Sequence, residues 1–125
     1  MKEQIFPKGA PPPAGPYSPA IKANGLVFVS GQGPILPETG EPLRGSIADQ
    51  VHRVMKNIQM ILEAAGSSME KVVKTTIYLQ SIADFSEMNE VYGSYIAGVP
   101  PARTTIQAAK LPLDIGVEID AIALE

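Results

Sequence analysis

The run Leu26-Val27-Phe28-Val29 is apolar at every position, and it limits the fold more than any other stretch of the chain. Side chains on a strand alternate between its two faces, so a strand with no polar position has to be covered on both sides. The run follows Asn24-Gly25, with Ala20 to Ala23 before it. Asn-Gly suits the left-handed backbone of a two-residue turn, so these segments are expected to form an antiparallel hairpin. Val72 to Leu79 has the same two-sided character, with Val73, Ile77 and Leu79 assigned to one face and Val72, Thr76 and Tyr78 to the other.

Cover for one face is written in two helices. Ser46, with Asp49 three residues on, forms a capping arrangement ahead of Ile47, Val51, Val54, Met55, Ile58, Ile61, Leu62 and Ala65. That spacing of three and four residues predicts one long amphipathic helix, closed by Gly66. His52 falls on its polar face between Gln50 and Arg53, the position of a solvated histidine. Asp84 and Glu87 are expected to open a second helix, whose stripe is Phe85, Met88, Val91, Tyr92, Tyr95 and Ile96, with Asn89 beside it; Gly98 and Pro100 end it.

Between these elements the chain is loop. Residues 10 to 19 carry five prolines, too many for a helix or a central strand, and are expected to run extended over the surface with Tyr17 as a packed or site aromatic. Ser30-Gly31-Gln32-Gly33 offers small residues that let another group approach the backbone, but it lacks the lysine and glycine spacing of a phosphate loop. Pro34 to Arg44 reads as a loop.

Pro100-Pro101 forces the chain to leave the second helix extended, which sets Arg103 at the start of a strand running to Ala109. An arginine there is a candidate anion receiver, because its fork matches a carboxylate or phosphate; the alternative is a structural ion pair. Ile115 to Leu124 is the last strand, and Lys110 to Asp114 fits a hairpin link between the two. Along it, Val117, Ile119, Ala121 and Ala123 share one face, while Glu118, Asp120, Ile122 and Leu124 share the other. Two helices cover one sheet face, so the apolar second face calls for a partner, and a closed homo-oligomer is expected, with Glu118 and Asp120 in or beside the interface. Burial raises a carboxyl pKa and a nearby arginine lowers it, so Glu118 is a candidate general acid or base.

A chain of 125 residues is expected to be one domain, 1–125, with a core that needs no staple. The absence of cysteine removes disulfides, thiol nucleophiles and cysteine metal sites, and His52 is the one histidine. A net charge of -3 argues against a broad nucleic-acid-binding surface. Met1 to Gly9 lacks the apolar core of a signal peptide and no apolar run reaches membrane-spanning length, so a cytoplasmic protein without membrane contact is expected.

Six segments stand in the order and spacing of one family. They are Gly15-Pro16-Tyr17-Ser18, Asn24 to Gln32, Val73-Lys74-Thr75-Thr76, Met88-Asn89-Glu90-Val91-Tyr92, Pro101-Ala102-Arg103 and Val117-Glu118-Ile119. The chain resembles the Rid family of reactive intermediate/imine deaminases, also called YjgF-like or L-PSP endoribonuclease-like, nearly end to end. The resemblance implies a chorismate-mutase-like α+β fold, a mixed sheet with two helices on one face, and a homotrimer whose sheets form a central β-barrel with sites in the clefts between subunits. It implies hydrolysis of 2-imino acids and their enamine tautomers, such as 2-aminoacrylate, 2-iminopropanoate and 2-iminobutanoate, to 2-oxo acids and ammonia. No cofactor is implied, and the functional link is to pyridoxal-phosphate dehydratases that release such intermediates.

By the same resemblance, Arg103 binds the substrate carboxylate and Glu118 positions or activates water. Tyr17, Ser30, Gly31 and Asn89 line the pocket, and the backbone at Thr105 polarises the imine or holds water. Two positions depart from the family pattern. Thr105 replaces a frequent Cys, which removes any thiol role, and Asp120 replaces a common Glu, which shortens the support around Glu118. Two other functions stand beside the deaminase: RNA cleavage with translation inhibition, named by the older family description, and a non-catalytic trimer that binds 2-oxo acids.

Overall fold

In a computed structural model that describes residues 1–9 and 13–125, the chain forms one six-stranded mixed sheet with two helices on one face. The strands are β1 (Glu3–Ile5), β2 (Ala20–Ala23), β3 (Leu26–Gln32), β4 (Val72–Leu79), β5 (Ala102–Gln107) and β6 (Val117–Leu124). Their spatial order is β1-β2-β3-β6-β4-β5. All neighbours are antiparallel except β4 and β5. The lead-in expected over residues 10 to 19 lies partly outside the described residues.

The β2–β3 hairpin is as expected, with Asn24 and Gly25 both at positive φ, 54° and 79°. Helix α1 (Ile47–Ala64) begins where Ser46 Oγ accepts the Asp49 N–H at 3.1 Å, and Gly66 follows it at φ 80°. Its apolar stripe, Ile47 to Leu62, is buried against the sheet. Each such side chain contributes roughly 1.5–3 kcal/mol of burial, so the α1–sheet layer is the main source of stability. The opposing sheet face supplies Val27, Val29, Ile77, Leu79, Val117, Ile119, Ala121 and Ala123, all buried. Among the described residues no helix is long and apolar enough to cross a membrane.

Several expectations are corrected. The last two strands are not a hairpin: β6 pairs with β3 and β4, and β5 pairs with β4 in parallel on the other side. Helix α2 (Phe85–Gly93) is the crossover that makes β5 parallel to β4, so the link between β5 and β6 has to pass the end of β4. Gln80 holds that passage, its N–H donating to Gly116 O at 3.0 Å and its Oε1 accepting from Leu111 N at 2.8 Å. The strands are also shorter than expected, ending at Gln107 and starting at Val117.

In β4 a register shift between Val72 and Lys74 reverses two side chains, so that Val72 is buried and Val73 is 41% exposed. Asp84 makes no side-chain cap to α2. A 3₁₀ turn over Ile82–Asp84 comes first, with Ser81 Oγ accepting the Ala83 N–H, and Glu87 Oε2 instead accepts the Ala48 N–H at 3.0 Å, at the start of α1. Tyr95 and Ile96 lie past the end of α2 yet still pack against the core. Strand β1 was not expected: of its three residues only Ile5 is buried, too little to show a period.

The uncovered sheet face carries Phe28, Ile106 and Leu124 at 40–49% exposure, as the two-sided apolar strands require of a single chain. Under α1, the buried Asn57 ties the loop after β3 to the helix. Its Nδ2 donates to Ile35 O at 2.8 Å and Gly33 O at 3.4 Å, and its Oδ1 accepts from Arg53 Nε at 3.1 Å. Asn57→Leu keeps the volume and orphans those carbonyls, so it should cost about 1–3 kcal/mol. Urea unfolding measures this, and a loss of under about 0.5 kcal/mol would show that the loop is held by something else.

Candidate active site

Strand alternation decides how the candidate residues are distributed. In the β4–β5 register Arg103 lies opposite Thr75 and Thr105 opposite Ile77; in the β4–β6 register Glu118 lies opposite Tyr78 and Asp120 opposite Thr76. Thr75 and Ile77 share one face of β4, and Thr76 and Tyr78 share the other. Arg103 and Thr105 are therefore on the helix-covered side, and Glu118 is on the bare side. One chain presents two half-sites, and the ion pair between Arg103 and Glu118 that the residues alone allowed does not form within it.

The first half-site is built on β5 and α2. Arg103 Nη1 donates to Asn89 Oδ1 at 2.6 Å, and the guanidinium carbon lies 5.1 Å from the Tyr92 ring centre and 5.6 Å from that of Phe85. Tyr92 is itself fixed, because its buried hydroxyl bonds Thr75 Oγ1 at 2.9 Å, on the residue paired with Arg103. A guanidinium stacked on rings keeps its edge donors available. The ion pairs among the described residues are Lys22–Glu125 and Lys110–Asp114, so no carboxylate neutralises Arg103 there. Two residues further along β5, Thr105 Oγ1 is buried with no hydrogen-bond partner.

The second half-site is built on β6, β3 and the segment before β2. Glu118 lies against Gly31: a Cβ on Gly31 would overlap Glu118 Oε2 and stand 2.9 Å from Cδ, so a glycine is required for the carboxyl to lie there. Glu118 and Gly31 open, with the exposed Tyr17, onto a cavity of about 290 Å³. Burial raises the Glu118 pKa above the ordinary carboxylate value, and the neighbouring Asp120 charge raises it further. Tyr78, opposite Glu118, donates its hydroxyl to Asp120 Oδ2 at 3.2 Å. Burial first, and then the Asp120 charge, hold that phenol protonated to higher pH.

The remaining candidates are placed differently. Ser30 does not line the cavity; its hydroxyl donates to Ser18 O and ties β3 to the segment after Tyr17. His52 is exposed, as its face implied, but its Nδ1 lies 2.8 Å from Tyr95 Oη, linking α1 to the segment that follows α2. Among the described residues no group of three or more His, Cys, Asp or Glu is arranged to hold a metal ion. The sequence reading missed Phe85 and Tyr92 as the floor under Arg103, having taken both as core stripe. An aromatic pair seven residues apart on a helix leading into the arginine strand was the available signal.

Comparison with known proteins identifies the family. Residues 7–125 match the family model described as Endoribonuclease L-PSP. The chain is 51% identical over 123 residues to the RutC family protein PH0854 of Pyrococcus horikoshii, covering 98% of both chains. It is 48% identical over 122 residues to Reactive Intermediate Deaminase A, chloroplastic, of Arabidopsis thaliana, covering 98% of this chain and 65% of that one. The crystal structure of E. coli TdcF with bound serine superposes with a TM-score of 0.92 at 35% identity, covering 98% of each chain. With the mixed sheet, the two helices on one face and a match over nearly its whole length, the chain belongs to the endoribonuclease L-PSP family, the Rid family of the reactive intermediate deaminases.

Proposed function

We propose that the protein hydrolyses reactive 2-imino acids to 2-oxo acids and ammonia, in sites completed between copies of the chain. The observation that carries this reading is the pairing of a stacked, carboxylate-free Arg103 with a Glu118 whose pKa is raised. Neither suffices alone. Arg103 would take the substrate carboxylate as a bidentate partner while Asn89 holds the guanidinium. The partner subunit's Glu118 would then stand at the C=N carbon. The bare apolar sheet face, with Phe28, Ile106 and Leu124, supports closure into the trimer expected for the family. The serine bound to TdcF, an amino acid with the same carboxylate and nitrogen arrangement, supports the substrate class.

The chemistry follows from the two groups. The Glu118 carboxylate takes a proton from a water whose oxygen attacks C2, and the C=N electron pair moves to nitrogen, which is protonated. The resulting carbinolamine collapses when its hydroxyl loses a proton and the C–N bond breaks with its electrons leaving on ammonia. One water is consumed, and one 2-oxo acid and one ammonia form. A carboxylate with a raised pKa is a stronger base than an ordinary one, and the proton it takes is held where it can be returned to nitrogen. Cleavage of RNA, named in the family description, draws no support from a chain of net charge -3.

Two measurements test the reading. A serine dehydratase generates 2-aminoacrylate in the presence of semicarbazide, and wild-type protein should reduce trap formation. Arg103→Ala should lose about 100-fold or more in that effect, since it removes a charge-assisted bidentate contact. Undiminished trapping by wild type, together with saturable 2-oxo-acid binding, would instead indicate a carboxylate sensor. The second measurement is the pH profile of kcat/KM. The reactive form of Glu118 is the carboxylate, so activity should fall as pH drops through its raised pKa. Asp120→Asn removes a like charge that raises that pKa, so the acid limb should move to lower pH. A limb that stays in place, or moves up, would assign it to another group.

A further inference from the structure

The cavity that begins at Glu118 continues past it. Its volume of about 290 Å³ is near the lower end for small-molecule sites and exceeds what the one-carbon side chain of an iminopropanoate would fill. Ile35, Met60, Ile61, Leu113 and Ile115 are the larger apolar side chains of its lining. Glu118 is the one charged residue in the described lining, and most of the amide donors there are engaged. Asn57 Nδ2 donates to the Gly33 and Ile35 carbonyls, and Gln32 Nε2 donates to Ser30 O at 3.1 Å. The lining is therefore mostly apolar, and the side-chain donors it keeps are the second Gln32 N–H and the Tyr17 hydroxyl.

One side of that wall is held in a strained conformation. Leu113 and Asp114 have consecutive positive φ values, 62° and 53°, which non-glycine residues rarely adopt. Arg44 Nη1 donates to both of their carbonyls, at 2.7 and 3.0 Å, and Lys110 pairs with Asp114 at 2.9 Å. The turn that presents Leu113 to the cavity is thus fixed from two sides rather than left to collapse into it.

We infer that this cavity is the subsite for the substrate side chain, and that it selects 2-imino acids with branched or aromatic apolar side chains over those with one or two carbons. The inference rests on the reading of Glu118 as the group at the reacting carbon. A side chain on C3 then points past the carboxyl into the apolar walls, and each added carbon gains burial. The matching source chemistry is a two-electron oxidation of a larger apolar amino acid, the hydride passing to a flavin or nicotinamide acceptor, which leaves its imine.

The test uses an amino-acid oxidase with catalase to generate the imines of alanine, leucine and phenylalanine, with semicarbazide as the trap. For the wild-type protein, kcat/KM for the leucine imine should exceed that for the alanine imine by roughly tenfold or more. Met60→Trp fills the cavity and should bring that ratio to one or below. Leu113→Asn, whose side chain tolerates the left-handed backbone, should lower the ratio by several-fold. Because the readout is a ratio within each variant, a general loss of activity cancels. Equal rates on all three imines, with both variants leaving the ratio unchanged, would overturn the subsite while imine hydrolysis stands. No acceleration of any imine by wild type would overturn both.

Discussion

The placement of both candidate groups depends on the alternation of side chains along β4. Because Thr75 and Ile77 point one way and Thr76 and Tyr78 the other, the strands hydrogen-bonded on either side inherit that division, and Arg103 and Glu118 end on opposite faces. No side-chain rotation reverses this, since a change of face needs a one-residue slip that would also expose the core. A substrate a few ångströms long cannot touch both groups of one chain through the sheet. Chemistry that needs both has to draw them from two chains.

The same alternation supplies a reason for the chains to meet. The helices bury one face, and the other keeps Phe28, Ile106 and Leu124 in water while holding Glu118, Asp120 and Tyr78 among them. Burying that face would remove apolar surface and also desolvate the Glu118 carboxyl further, which moves its pKa in the direction burial already gives. Assembly and activation of the carboxyl would then be one event. On the other half-site, Arg103 stays accessible because it is stacked on Tyr92 and Phe85 and not paired with an acid.

Much of this was legible in the residues, and the failures have physical causes. The Asn24-Gly25 turn, the Ser46 cap and the α1 stripe are local signals, and each lies where the sequence puts it. The order of the last two strands is not local. A five-residue link suits a hairpin, and only the crossover through α2 shows that β6 occupies the slot beside β4 and sends β5 to the edge. The bulge at Val72–Val73 reverses two valines that no propensity distinguishes. For the site, Arg103, Asn89 and Glu118 stood out through residue type and family resemblance. The floor of Phe85 and Tyr92 looked like core because an aromatic under a guanidinium has the same helical spacing as one under a leucine.

The composite site is most directly tested by subunit mixing. Arg103→Ala and Glu118→Gln chains, each expected to be inactive on 2-aminoacrylate alone, are coexpressed in equal amounts and purified as mixed oligomers. If one chain supplies the arginine and its neighbour the glutamate, random assembly of a closed ring leaves about a quarter of the interfaces with both groups intact, and about a quarter of wild-type activity should return. If both groups act within a single chain, every site keeps one defect and the mixed oligomers remain as inactive as their parents, which would contradict the division of labour across the sheet.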